Sequence, residues 1–334
     1  VIGSVDEYNV YNETNGREEE VITNGSRLEK EPGGKKKPDL KAAMKLYVVV
    51  FLLLLVFGSL AQGLHFEIGM IITQWVIILL PALWFLRRYR VDRACFVRFK
   101  ALEWRFVPVI ILLSASFWLL NMAIAAGMVT GLMEIGYEPV VVLEPPQTLQ
   151  HYLVYIFVLS ISAGICEEVM FRGAIMPALE DGGVVPAIVF SSFLFALFHV
   201  SFLNLFSTFM LGAVMAVVVI KTGSLWGGIL YHMLNNFYAV TYLYLAGQEE
   251  TAAEIDPRLL WALLPLAILA AAGAYFGLRL LQEKSTIEPL LKSGSRQWLP
   301  RGWLNWLLAL SVILFLLLAM FELALGFGWL EPFR

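Results

Sequence analysis

From residue 46 onward the chain is a succession of long apolar runs separated by short polar stretches. Nine runs stand out, at roughly 46–64, 68–86, 106–132, 152–176, 184–200, 204–221, 225–246, 259–281 and 303–329. A helix that crosses a bilayer needs ~20 predominantly apolar residues, because the hydrocarbon core is ~30 Å thick and each residue rises ~1.5 Å. The pattern therefore predicts an all-α, polytopic transmembrane bundle of nine helices, or eight if one run lies at the interface. The fourth run turns polar near its end and is expected to continue past the bilayer to Glu180. Asp181-Gly182-Gly183 then reads as a turn. Pro186 falls in the first turn of the next helix, where its missing N–H is tolerated. Gly212-x-x-x-Ala216 in the sixth run is a close-packing pattern of membrane helices.

Residues 1–41 break the pattern. Glu18, Glu19, Glu20, Lys35, Lys36 and Lys37 lie there among Asn, Gly and Ser. Such a stretch buries too little apolar surface to offset its ordering entropy, so it reads as a disordered cytoplasmic tail rather than a secretory signal peptide. Its two Asn-x-Ser/Thr sequons, at Asn12 and Asn24, read as chance matches on that side of a membrane. Residues 42–334 form the transmembrane domain.

Composition agrees: 59% of the 334 residues are hydrophobic and 15% are charged, against about 25% charged in an ordinary soluble domain. A net charge of −3 gives no reason to expect a nucleic-acid partner, and two cysteines, Cys95 and Cys166, make no disulfide framework. The position of the charges orients the bundle. Seven Lys and Arg lie between Arg87 and Arg105, and further ones lie in the tail and in 279–302. The stretches 134–150 and 247–258 hold Glu134, Glu138, Glu144, Glu249, Glu250, Glu254 and Asp256. Cytoplasmic loops carry the excess of Lys and Arg, so the reading is a cell-membrane protein with its N-terminus inside.

Ionisable groups within spanning helices are expensive and mark function or a structural pair. They gather here in three runs. The fourth holds Glu167, Glu168 and Arg172; the fifth ends on Phe195-Ala196-Leu197-Phe198-His199; the seventh holds His232-Met233-Leu234-Asn235-Asn236. Glu168 and Arg172 are i,i+4 with the acid first, the better order for a helical ion pair. Glu167 lies ~100° around the helix from Glu168 and can face another partner. His232 and Asn236 share a face. Counted from the turns, these groups lie at compatible depths and are expected to meet in one intramembrane cavity opening toward the cytoplasmic side. His65 and His151 fall at run boundaries and read as interfacial. Cys166 reads as a small apolar filler.

A carboxylate and an imidazole in such a cavity can hold one water and take its proton. A second imidazole and an amide N–H can stabilise the oxyanion formed when that water attacks a peptide carbonyl. Arg172 would hold Glu168 in place.

Glu167-Glu168-x-x-x-Arg172, Phe195-x-x-x-His199 and His232-x-x-x-Asn236, each on its own helix, resemble the signature of the CAAX protease and bacteriocin-processing (CPBP) family, which takes in CAAX prenyl protease 2. The resemblance covers about 152–246 and shows no departure at the motif positions. It implies an intramembrane glutamic endopeptidase in which Glu167 with His199 activates water, Glu168 and Arg172 support it, and His232 with Asn236 forms the oxyanion site. The implied substrate is a membrane-associated or lipidated peptide, with CAAX-type ends among the options. No cofactor is implied.

Other readings compete. Glu167, His199 and His232 are also an acceptable zinc set, although no HExxH supplies a compact ligand pair. A non-catalytic scaffold or immunity protein of the same fold would bind a peptide without cutting it. A proton-coupled transporter would use buried acids and histidines too, but no inverted repeat is visible.

Overall fold

The computed structural model of the chain describes residues 37–139, 143–247, 257–287 and 305–330. The described residues belong to one compact unit. Both sequons and almost all of the expected tail lie outside them.

Among the described residues nine helical rods follow in order: α1 Leu40–Leu64, α2 Phe66–Tyr89, α3 Trp104–Met133, α4 Leu149–Gly182, α5 Val184–Phe198, α6 Leu205–Thr222, α7 Leu225–Ala246, α8 Pro257–Lys284 and α9 Trp306–Gly326. No strand occurs among the described residues. The protein is a helical membrane bundle, and it crosses the membrane several times.

Among the described residues, seven of the rods are long and apolar enough to span a bilayer, so the expected count of eight or nine is not exact. The 15 residues of α5 reach only about 22 Å. The 22 residues of α7 are long enough, but His232, Asn235, Asn236 and four tyrosines dilute its apolar character. The large hydrophobic side chains left exposed, such as Trp84, Leu269 and Leu317, suit a surface that meets lipid rather than water.

Local chemistry fixes the ends. Asp39 caps α1, its side chain accepting from the Ala42 N–H at 2.9 Å, so the helix starts at Leu40, inside the stretch expected to be tail. At the turn before α5, Gly183 has φ of 110°, a region that disfavours any residue with a Cβ. Pro186 then lies in the first turn of α5, as expected. Between α1 and α2, Gly69 packs directly on the Ala61–Gln62 backbone with no room for a Cβ.

The basic loop, the α4–α5 turn and the α6–α7 turn lie together at one end of the bundle. Arg98 pairs with Glu180 and Lys37 with Asp181, both at 2.6 Å, while the Ser224 hydroxyl donates to the Lys100 carbonyl at 2.6 Å. At the opposite end, His65 and His151 both reach Glu67, at 3.1 and 2.9 Å.

The centre is built around α4. Tyr47 and Phe51 of α1, Phe171 of α4, and Phe195 and Phe198 of α5 form one buried aromatic cluster. Widened π-type turns interrupt α1 at Leu54–Gly58, α2 at Ile72–Leu79, and α4 at Ile156–Ser162 and Val169–Ile175. Such turns re-aim side chains and are frequent at functional sites. All four carry residues of the groups described next.

Candidate active site

Glu167 and Glu168 are adjacent on α4, so helical geometry sends them ~100° apart, and they enter two different neighbourhoods. Glu168 is fully buried, and its Oε1 accepts from Nη1 of Arg172 at 2.5 Å. The same oxygen lies 3.2 Å from Nδ1 of His232 on α7. Gly228, one turn before His232, makes room for this approach: a Cβ there would sit 2.8 Å from Oε2 of Glu168.

Arg172 has no solvent exposure either. Its Nη2 donates to the Gly212 carbonyl of α6 at 2.8 Å, and its guanidinium carbon lies 4.6 Å from the centre of the Phe195 ring. That ring also stands edge-on to both histidines, 4.6 Å from His199 and 5.9 Å from His232. The phenylalanine of the middle motif is thus the piece around which the three motif helices gather.

His199 caps the C-terminal end of α5. Its Nδ1 lies 2.8 Å from the Phe195 carbonyl. A carbonyl only accepts, so Nδ1 carries the hydrogen, and Nε2 is left facing Glu167 Oε2 at 4.0 Å. That separation exceeds a direct hydrogen bond and is one that a single water can bridge. Glu167 is buried, and Oε2 has no hydrogen-bond partner among the described residues. Its Oε1 accepts from Nε2 of Gln74 on α2 at 2.8 Å.

Glu167 and His199 line a cavity of about 520 Å³. Leu54, Leu55, Leu314, Leu317 and Phe198 make its apolar wall, and Ser59, Gln62, Thr73 and Gln74 make a polar seam. The other motif residues do not line it, which differs from the single shared cavity expected. His232 and Arg172 are gathered on Glu168 behind the wall. The side-chain amide of Asn236 donates to the Leu159 carbonyl at 2.8 Å, tying α7 to α4. Asn235 donates to Asn236 at 3.2 Å.

The direction of the cavity also differs from expectation. Ser59, Gln62 and Met70 flank the α1–α2 junction, and Val200 follows the end of α5. The cavity therefore extends toward that junction and away from the end that carries the basic loop. At ~20 Å and more from the Asp181 turn, Glu168 and His199 already lie past mid-membrane.

Among the described residues no group of three His, Cys, Asp or Glu side chains is placed to hold a metal ion. The zinc set weighed above is split, with Glu167 beside His199 and His232 on Glu168.

Residues 149–238 match the family described as type II CAAX prenyl endopeptidase Rce1-like. That segment is similar to the Rce1-like family, and the match covers about a quarter of the chain. It runs from the start of α4 into α7 and contains all seven motif residues, together with Gly212. Gln74 lies outside it. The match supports a CAAX-type membrane endopeptidase in general terms. No curated protein and no solved structure matched the chain.

Sequence reasoning missed two contributors to this site. Gln74 was visible only as a polar residue inside an apolar run, with nothing to say what it faced. Gly212 read as a packing glycine, while its carbonyl is what receives Arg172.

Proposed function

We propose that the protein is an intramembrane endopeptidase that hydrolyses a peptide bond in a membrane-associated or lipidated peptide, with CAAX-type ends as the first class to test. One observation carries this reading. A buried glutamate oxygen without a hydrogen-bond partner among the described residues faces an imidazole nitrogen at 4.0 Å on the wall of a largely apolar cavity.

In this mechanism a water bridges Glu167 Oε2 and His199 Nε2. As it attacks the scissile carbonyl, Glu167 takes its proton, and the proton passes to the leaving amine. Glu168 holds Nδ1–H of His232, so a proton on Nε2 makes that ring an imidazolium paired with a carboxylate and able to donate to the oxyanion. His232 must turn its Nε2 toward the reacting carbonyl when substrate is bound, and Asn236 must exchange the Leu159 carbonyl for it. Arg172 fixes Glu168 and, through Phe195, the spacing of the two histidines. No metal takes part, and the substrate binds with its apolar part against the leucine wall.

The protein sits in the cell membrane with its N-terminus and basic loop in the cytoplasm. In that orientation the cavity lies in the outer half of the bilayer.

A second reading is a peptide-binding scaffold of the same fold. The engagement of Asn236 by Leu159 favours it, since this keeps half of the oxyanion pair away from the cavity. A comparison of membrane peptides from cells carrying wild type or Glu167→Gln separates the two. A cleaved terminus present only with wild type supports the peptidase; an unchanged peptide set with function retained supports the scaffold.

A further inference from the structure

The carboxylate assigned as base is held by a residue from outside the matched segment. Gln74 belongs to a widened turn of α2, is only 3% exposed, and donates through Nε2 to Glu167 Oε1 at 2.8 Å. An ionised carboxylate only accepts hydrogen bonds, so the amide's nitrogen end must face it, and the amide orientation is fixed by its partner. The carbonyl end, Oε1, has no hydrogen-bond partner among the described residues and belongs to the cavity wall. The neighbouring Thr73 is buried and accepts from Gln62 at 3.0 Å, which anchors this stretch of α2 to α1.

A carboxylate on a glutamate side chain turns freely about its last bond unless one oxygen is held. Gln74 holds Oε1, and the other oxygen is thereby the one presented to His199. Among the described residues the polar groups that α1 brings to the cavity are engaged elsewhere, Gln62 on Thr73 and Ser59 on the Leu54 carbonyl. α1 and α9 face the cavity with Leu, Ser and Gln side chains, and α5 contributes His199 on the opposite oxygen.

We infer that Gln74 is a positioning residue that sets the Glu167 carboxylate for attack, so that this site is completed by a helix outside the matched segment. The inference rests on the peptidase reading for its consequence, but the Gln74–Glu167 link itself can be read without turnover. Misplacing a reacting group by about an ångström can reduce rate by ~10²-fold.

The test uses the full-length protein in lipid with Gln74→Leu and Gln74→Met, two apolar replacements of similar size, beside wild type and Glu167→Gln. Infrared difference spectra against Glu167→Gln isolate the carboxylate stretches of Glu167, and turnover is followed on a prenylated CAAX peptide. The expected result is a moved Glu167 band in both Gln74 variants and a kcat lower by ~10- to 100-fold, with KM within about threefold of wild type. A merely structural glutamine would lower thermal stability and leave the Glu167 band where it is, and that outcome overturns the inference. So does a folded variant with wild-type kcat. If only one variant folds, it reads both quantities. A wild-type protein without turnover whose Glu167 band still moves in the Gln74 variants upholds the link and counts against the peptidase reading.

Discussion

Nδ1 of His232 lies 3.2 Å from Oε1 of Glu168, so the histidine of the third motif serves the second glutamate of the pair and not the first. Glu168, Arg172 and His232 form a buried knot, while Glu167 is left to Gln74 and His199 at the cavity wall. Two adjacent residues of one type thereby acquire different work.

Replacement of Glu168 should therefore damage stability most. Glu168→Gln leaves Arg172 buried without its carboxylate, and breaking a buried pair from one side costs about 3–5 kcal/mol. Thermal unfolding in detergent should show a larger loss for Glu168→Gln than for Glu167→Gln. Equal losses would mean that the knot is not what holds α4, α6 and α7 together.

Arg172→Lys should fail to rescue this arrangement. The guanidinium reaches Glu168 with one nitrogen and the Gly212 carbonyl with another while stacking on Phe195. An ammonium is a single point charge without a planar fork. A stability loss of at least about 1.5 kcal/mol is expected, the lower value for a hydrogen bond to a charged group. Wild-type stability for Arg172→Lys would show that charge alone suffices.

Cys166 adjoins Glu167 in sequence, is fully buried and does not line the cavity. Cys166→Ala should keep most of the turnover, because the proposed mechanism assigns the attack to water and not to a thiolate. A mass-spectrometric acyl adduct on Cys166 would overturn the mechanism.

The charge asymmetry predicts that a reporter fused after Lys100 reads as cytoplasmic and one after Glu144 as exterior. Lys100 lies with the Arg98–Glu180 pair at one end, and the Glu144 carbonyl accepts from Tyr155 near the start of α4. The reverse result at both positions would turn the bundle over and move the cavity to the cytoplasmic half.

Much of this architecture is legible in the residues. Apolar run length located the rods, Gly183 and Pro186 marked the α4–α5 turn, and the i,i+4 spacing of Glu168 and Arg172 anticipated their pair. Helical spacing does not say which neighbour a side chain meets across helices. The Gln74–Glu167 bond joins residues 93 apart, and the His232–Glu168 approach joins residues 64 apart. Both depend on how rods pack and on π-type turns that no local signal announced. The short α5 was visible as a run, but the composition of its end did not show that His199 would cap it.

The most direct test of the central claim is the turnover of purified wild type and Glu167→Gln on a prenylated CAAX peptide, each with and without EDTA. The account predicts a fall of at least ~10²-fold for Glu167→Gln, the lower range for loss of an acid–base group, and no effect of the chelator on wild type. Near-normal turnover by a folded Glu167→Gln, or EDTA inhibition reversed by zinc, would contradict it.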